Sequence, residues 1–298
     1  MAPHRQIVIM IPEHAQLMDI AGPAQVFTHA AEAGASYEVS FYSEAAQVTS
    51  HQGLHVASCS NIPELAPQDI LIISGWKVQK TVRPLGATAE QIIREHAQHE
   101  VQIMSVCAGA LILGRLGLLA KKKSTTHHDL VGELEKFAEV EVVRDVLYTC
   151  DGAIHTSAEI SSGIDLALHL VDLDAGPALA AQIARTMVVP AWRPGGGSQV
   201  SVMLKYRGHM DDVVHRAQDI LDDPALGLMS LSALGARLGI SGRSLSRHFV
   251  AAIGMTPYAY GAKVRDKRVQ LLRSQGISVE ESARLVGFAD GRSLRKRT

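Results

Sequence analysis

The sequence predicts an α/β domain, a sheet flanked by helices, followed by an all-α domain carrying two helix-turn-helix units. Three observations carry this reading. Short β-type runs alternate with helical patterns through the first half, a glycine-rich stretch breaks the periodicity at residues 193–199, and one helix, turn and helix pattern occurs twice near the end.

The runs RQIVIMI, YEVSFYS, DILIIS and VQIMSV are apolar and β-prone, with helical patterns at residues 19–33 and 89–99 among them. Such alternation argues for βαβ units, hence a parallel sheet covered by helices. After VQIMSV a small-residue turn at Cys107 leads into the helical run CAGALILGRLGLL, then into more polar ground at AKKKSTTHHD. The segment VLYTCDGAIHTS reads as a hairpin about Asp151-Gly152, and residues 163–173 read as an amphipathic helix returning to the sheet. The sheet domain closes by about Val189. RPGGGSQ supplies the break, so the expected boundaries are 1–192 for the α/β domain, 193–210 for a linker and 211–298 for the helical domain. Helices are expected in the latter at 211–221, 230–238, 243–253, 258–274 and 279–286.

Composition narrows the function classes. Of 298 residues, 47% are hydrophobic and 20% charged, enough to bury a sizeable core. No apolar run approaches the roughly eighteen residues of a membrane span, so a cytoplasmic protein without membrane contact is expected. The cysteines, Cys59, Cys107 and Cys150, lack metal-type spacing and suit a reducing compartment; no metal and no cofactor is expected. The net charge of -1 hides an asymmetry: residues 211–298 hold 14 Lys+Arg against 9 Asp+Glu, leaving 15 against 21 in the remainder. A basic end on an acidic body is what phosphate binding by one domain requires.

The repeat makes that partner specific. LGARLGISGRSLSRHF, from Leu234, is matched by SARLVGFADGRSLRKRT, from Ser282. In each copy a small residue, Gly235 or Ala283, lies four positions before a turn glycine, Gly239 or Gly287, where crossing helices need close approach and the turn needs positive φ. Ser241 and Asp290 stand where a side chain caps the next helix. In the first copy Leu245 and Phe249 share an apolar face, leaving Arg243, Ser246 and Arg247 for a major groove; in the second, Arg292, Arg295 and Lys296 take equivalent places. A long amphipathic stretch containing Tyr260, Val264, Leu271 and Leu272 joins the two, and recognition helices on successive groove faces lie about one DNA turn, roughly 34 Å, apart. Double-stranded DNA is the expected partner.

Gly239-Ile240-Ser241, GMTPYAY, the Arg265 and Leu271-Leu272 region and GFADGRSL make about the last 90 residues resemble the AraC/XylS family of transcription regulators. One departure matters: the family pattern continues the second recognition helix into an aromatic core residue, and Thr298 occupies the place equivalent to Phe249. Weakened binding by the second half is expected.

In the first domain, Cys107 falls between an apolar strand and a helix start, where a thiol feels the helix dipole and can be activated. The N–H groups of Ala108 and Gly75 form an oxyanion-binding pair if their loops converge. Trp76 reads equally as a pocket wall or a hydrophobic lid, while Cys59 and Cys150 read as plain free thiols. MDIAGPAQVF, DILIISG, SVCAGALILGRLGLLAKKKSTTHH, YTCDGAIHTSAEISSGIDLAL and ARTMVV followed by RPGGG resemble, in order, the PfpI-type, class I glutamine-amidotransferase-like domain at the front of a GlxA-like branch of AraC regulators. The resemblance implies a flavodoxin-like, amidotransferase-like fold, with Asp19 facing the cysteine and His127 or His128 nearby. It also implies a small-molecule effector, expected to be a nitrogen-containing metabolite, held at Asp19, Gly75, Trp76, Cys107, Ala108 and His127, and a homodimer. Hydrolytic members place histidine after the cysteine, whereas here it is Ala108. The expectation is therefore a ligand-responsive activator and not an enzyme, with a cysteine-dependent hydrolase or isocyanide-hydratase-like activity of Cys107, Asp19 and His127 as the alternative.

Overall fold

The computed structural model describes residues 4–58, 61–77, 85–158, 161–189, 193–197, 199, 206–223, 229–274 and 277–287. The chain divides into two compact units, Met1–Gln199 and Val200–Thr298.

The first unit is built on a six-stranded sheet ordered β2-β1-β5-β6-β10-β9, comprising β1 (Arg5–Met10), β2 (Tyr37–Tyr42), β5 (Ile70–Ile73), β6 (Gln102–Val106), β9 (Tyr148–Asp151) and β10 (Ile154–Ser157). Pairing is parallel from β2 through β10, and only β9 runs antiparallel. All four residues of β5 are buried, the continuous apolar run of a strand covered on both faces. Helix α1 (Leu17–Glu32) crosses from β1 to β2, α2 (Ala87–Gln98) from β5 to β6, and α3 (Gly109–Arg115) follows β6. Helices α5 (Ser162–Ala175) and α6 (Pro177–Thr186) pack with α1. The β9–β10 turn places Gly152 at φ 62, the first loop position of a two-residue hairpin, where positive φ is needed.

Two small pairings lie outside the sequence expectations: a hairpin of β3 (Gln47–Thr49) and β4 (His55–Ala57), and a parallel pair of β7 (Lys123–Ser124) and β8 (Glu141–Val142). Strands of two or three residues carry no periodicity to read. Between β7 and the one-turn helix α4 (Val131–Leu134), the segment expected to be polar ground buries Ser124, Thr125 and Thr126 completely. Hydrogen bonds permit this: Thr125 N–H donates to Thr156 Oγ1 at 2.7 Å and Thr126 Oγ1 to the Cys107 carbonyl at 2.8 Å.

The linker expectation needs correction at its start. Arg193 donates from Nε and from a terminal guanidinium nitrogen to Asp165 Oδ2 at 3.0 and 2.6 Å, and its N–H reaches Asp165 Oδ1 at 2.9 Å. The Gly195 carbonyl accepts from Leu147 N–H at 2.8 Å, and a Cβ at Gly195 would lie 2.8 Å from the Tyr148 ring. The glycines of RPGGGSQ therefore serve close packing as well as chain flexibility, and residues 193–199 belong to the first unit.

The second unit contains α7 (Asp212–Asp222), α8 (Leu231–Leu238), α9 (Gly242–Ile253), α10 (Pro257–Ser274) and α11 (Val279–Leu285) among its described residues. Capping decides where they start: Asp211, Ser230, Ser241 and Ser278 each accept from the N–H three residues on. Val214, Ala217, Leu234, Leu245, Phe249, Tyr260 and Val264 form its core. Arg207 pairs with Asp219 and Asp222 at 2.6 and 2.7 Å, and Tyr260 Oη donates to Asp222 at 2.8 Å, which satisfies the buried end of α7. A smaller cluster of Val269, Ala283 and Val286 with Leu272 begins the second helix pair. Gly287 follows at φ 88; Asp290 and the residues after it, where a second recognition helix is expected, lie outside the described residues, as does the Leu271 side chain.

The α8–α9 turn rests on two glycines. Gly239 takes φ 71, and a Cβ on Gly235 would lie 2.6 Å from the Ile240 carbonyl oxygen. Gly235→Ala is expected to destabilise the second unit by about 1–3 kcal/mol in urea unfolding. Gly208→Ala, where a Cβ meets nothing within 4 Å, is the control, and equal midpoints for the two would refute the close-approach argument.

Candidate functional site

β6 ends at Val106, and Cys107 then adopts φ 55, a left-handed conformation that costs a non-glycine residue roughly 1–3 kcal/mol. Both of its backbone polar groups are clamped: its N–H donates to the Ser157 carbonyl at 3.0 Å, and its own carbonyl accepts from Thr126 Oγ1. Chain direction reverses into α3 only because residue 109 is glycine, since a Cβ there would lie 2.4 Å from the Ile73 carbonyl oxygen. The thiol is thus held on a sharp turn at the carboxyl ends of parallel strands, where α/β folds expose reactive groups.

Four of the residues singled out in the sequence meet at this turn. A Cβ placed on Gly75 would stand 2.5 Å from Asp19 Oδ2 and 2.9 Å from both Ala108 N and Cys107 Cβ. Gly75 is therefore required for the acid of α1, the thiol and the Ala108 N–H to share one space. Asp19 is fully buried, and burial pushes its carboxyl up to about 7, with the Cys107 thiol and the Gly75 N–H beside it holding the rise back. Near neutral pH this group can both hold and release a proton next to the sulfur.

The other two sit differently. Trp76 is buried beside Gly75 and paired through its backbone with Ala15. His127 follows Thr126, but its Nδ1 accepts from Asp129 N–H at 3.2 Å and its ring stacks on His128 with centroids 4.2 Å apart. These contacts place the imidazole within its own loop. Sequence reasoning missed Thr126, Ser157 and Gly109; the small-residue run after Cys107 signals the glycine, whereas nothing local signals the two hydroxyl residues.

On the second unit, Arg243 and Arg247 are exposed on α9 and Ser246 is partly exposed, while Leu245 and Phe249 are completely buried. One face of α9 thus anchors the helix and the other offers two guanidinium groups four residues apart. His248 adds an anchor not foreseen: its Nδ1 lies 2.6 Å from Asp211 Oδ2, joining α9 to the cap of α7. That bond holds the Asp211 carboxyl below its usual range. Arg292, Arg295 and Lys296 lie outside the described residues.

Asp19 supplies a stability test with a defined sign. Its folded value of about 7 exceeds the ordinary 3.8, so the folded chain keeps a proton that the unfolded chain releases. Its stabilising contribution is fully present below pH 3.8 and is lost as pH rises through 7. Asp19→Asn is expected to gain roughly 2–4 kcal/mol over the parent between about pH 4 and 8 in urea titrations. A gap independent of pH contradicts the assignment.

Comparison with known proteins gives a separate family match for each end of the chain. Residues 5–173 match the DJ-1/PfpI family, and residues 234–298 match a helix-turn-helix domain. The chain is 27% identical over 245 residues to the HTH-type transcriptional regulator CdhR of Pseudomonas aeruginosa, covering 81% of this chain and 71% of that one. It is 30% identical over 171 residues to an isonitrile hydratase of Pseudomonas putida, covering 55% of this chain and 70% of the enzyme. Among solved structures, an AraC family transcriptional regulator from Pseudomonas putida superposes with a TM-score of 0.53 at 23% identity, over 62% of this chain and all of that one. A ThiJ/PfpI family protein from Pseudomonas syringae gives 0.55 at 19% identity, over 88% and 91% of the two chains. The chain belongs to the DJ-1/PfpI family and joins that domain to a helix-turn-helix domain.

Proposed function

We propose that this chain is a sequence-specific DNA-binding transcription regulator, a ligand-responsive activator whose first unit binds a small metabolite at the Cys107 turn. One observation carries the reading: a capped, glycine-turned helix pair presenting Arg243 and Arg247 outward shares a chain with a DJ-1/PfpI domain, and an HTH-type transcriptional regulator aligns with 81% of this chain. Arg243, Ser246 and Arg247 read base edges and phosphates in a major groove, and Arg292, Arg295 and Lys296 serve a second groove face. The effector, in this reading a nitrogen-containing metabolite, occupies the space among Asp19, Gly75, Trp76, Cys107 and Ala108 with His127 at its margin. It regulates by binding two states of the protein unequally. A homodimer acting in the cytoplasm would bring two such heads to one operator. Among the described residues no helix is long and apolar enough to cross a membrane.

A second reading has a specific observation behind it. Asp19, with its carboxyl raised to about 7, faces the thiol, the pairing that an acid-assisted thiol addition needs, and the isonitrile hydratase relative matches this part of the chain. Cys107→Ala separates the readings: a regulator keeps specific DNA binding, whereas an enzyme loses all turnover of an isonitrile.

The regulator reading is tested by fluorescence anisotropy on promoter fragments from the gene's own neighbourhood and on random duplex, across a salt series. Specific, salt-sensitive binding is expected, and Arg243→Ala/Arg247→Ala should lower specific affinity by about 10- to 1,000-fold and flatten the salt slope by up to about two. Equal affinity for both duplexes in the parent, or an unaffected double variant, refutes α9 as the reader.

A further inference from the structure

The last residue of the first unit is tied to the Cys107 turn through two hydrogen bonds. Gln199 is only 4% exposed, although it belongs to the glycine-rich stretch that leads to the second unit. Its Nε2 donates to the Thr126 carbonyl at 3.2 Å and to Thr125 Oγ1 at 3.4 Å, and its N–H donates to Asp145 Oδ1 at 3.1 Å. Thr126, completely buried, donates in turn from Oγ1 to the Cys107 carbonyl at 2.8 Å. The order is therefore Cys107 carbonyl, Thr126 hydroxyl, Thr126 carbonyl, Gln199 amide.

Three features make this more than incidental packing. Cys107 is the one residue of the turn in a costly left-handed conformation, so anything that shifts it moves its carbonyl and with it the Thr126 hydroxyl. A buried glutamine is expensive unless bonded, yet Gln199 Oε1 has no partner among the described residues. The side chain is thus held mainly from its donor end, by the threonine pair. Moreover, the neighbouring Arg193–Asp165 pair fixes the start of the same stretch, and Gln199 is the described residue that holds its far end against the sheet domain.

We propose that Gln199, through Thr126, is the coupling residue by which the state of the Cys107 turn is passed to the segment entering the DNA-binding unit. This rests on the regulator reading for its purpose but not for its test. Occupation of the space beside Cys107 displaces the Cys107 carbonyl, weakens the Thr126 bond and frees the Gln199 amide, so the stretch closed by Gln199 loosens. By reciprocity, loosening at Gln199 changes access to Cys107.

The test uses the full chain with Cys59→Ser and Cys150→Ser, so that iodoacetamide modifies Cys107 alone. Hydrogen exchange of residues 193–199 and affinity for duplex DNA are read before and after alkylation. Alkylation should speed exchange in that segment by about tenfold or more in the parent. In Gln199→Met and in Thr126→Val the segment should already exchange fast, with less than about a twofold further change, while Thr126→Ser should respond as the parent does. The serine variant keeps the hydroxyl, so the proposal stays testable if an apolar variant fails to fold. An unchanged segment in the alkylated parent, or an equal response in Gln199→Met, overturns the proposal. If the segment responds and DNA affinity does not, the coupling stands and the regulator reading of this site falls. If affinity responds without the segment, the regulator reading stands and the coupling falls.

Discussion

The left-handed backbone of Cys107 is the constraint on which the first unit depends. A non-glycine residue stays there only if its surroundings determine it, and here they do from every side. The Ser157 carbonyl on β10 and the Thr126 hydroxyl hold its two backbone groups, Gly109 lets α3 begin hard against β5, and Gly75 leaves the room that Asp19 and Ala108 N share with the sulfur. Apart from Ala108 and Gly109, these partners come from other parts of the chain: α1, the end of β5, the Thr126 segment and β10. The raised Asp19 carboxyl is a consequence of the same closure, because a carboxylate in that space has little water around it.

The second unit answers a different demand, holding one helix surface at a fixed angle while leaving it uncovered. Gly235 and Gly239 let α8 and α9 cross closely, Ser241 starts α9, and Leu245 and Phe249 sink into the core. The His248–Asp211 contact adds a second attachment on the flank, which limits rotation of α9 about its axis. Arg243 and Arg247 then stand out from a rigid support, the condition for reading base edges as opposed to merely collecting phosphates.

Much of this was legible in the sequence, and the parts that were not share a cause. The strands β1, β2, β5 and β6 announce themselves as apolar runs, and the capped glycine turn announces itself by repetition. Cys107, Ala108 and Gly75 were read from the strand-turn-helix break and Asp19 through a family resemblance, and the structure brings the four together. What stayed hidden depends on partners distant in the chain. Thr125 and Thr126 look like surface residues until Thr156, Cys107 and Gln199 satisfy them, and RPGGGSQ looks like a free linker until Asp165 binds Arg193. His127 and His128, the imidazoles suggested by the resemblance, stack on each other, and His127 accepts from Asp129 N–H. Arg292, Arg295 and Lys296, expected on a second recognition helix, lie outside the described residues.

Selection of DNA by the full chain from a random duplex pool, followed by sequencing, tests the central claim most directly. A regulator built this way enriches a defined motif, and Arg243→Ala relaxes some of its positions while leaving the rest readable. Failure to enrich any motif, together with Cys107-dependent turnover of an isonitrile by the same preparation, contradicts the account and makes the thiol turn an active site.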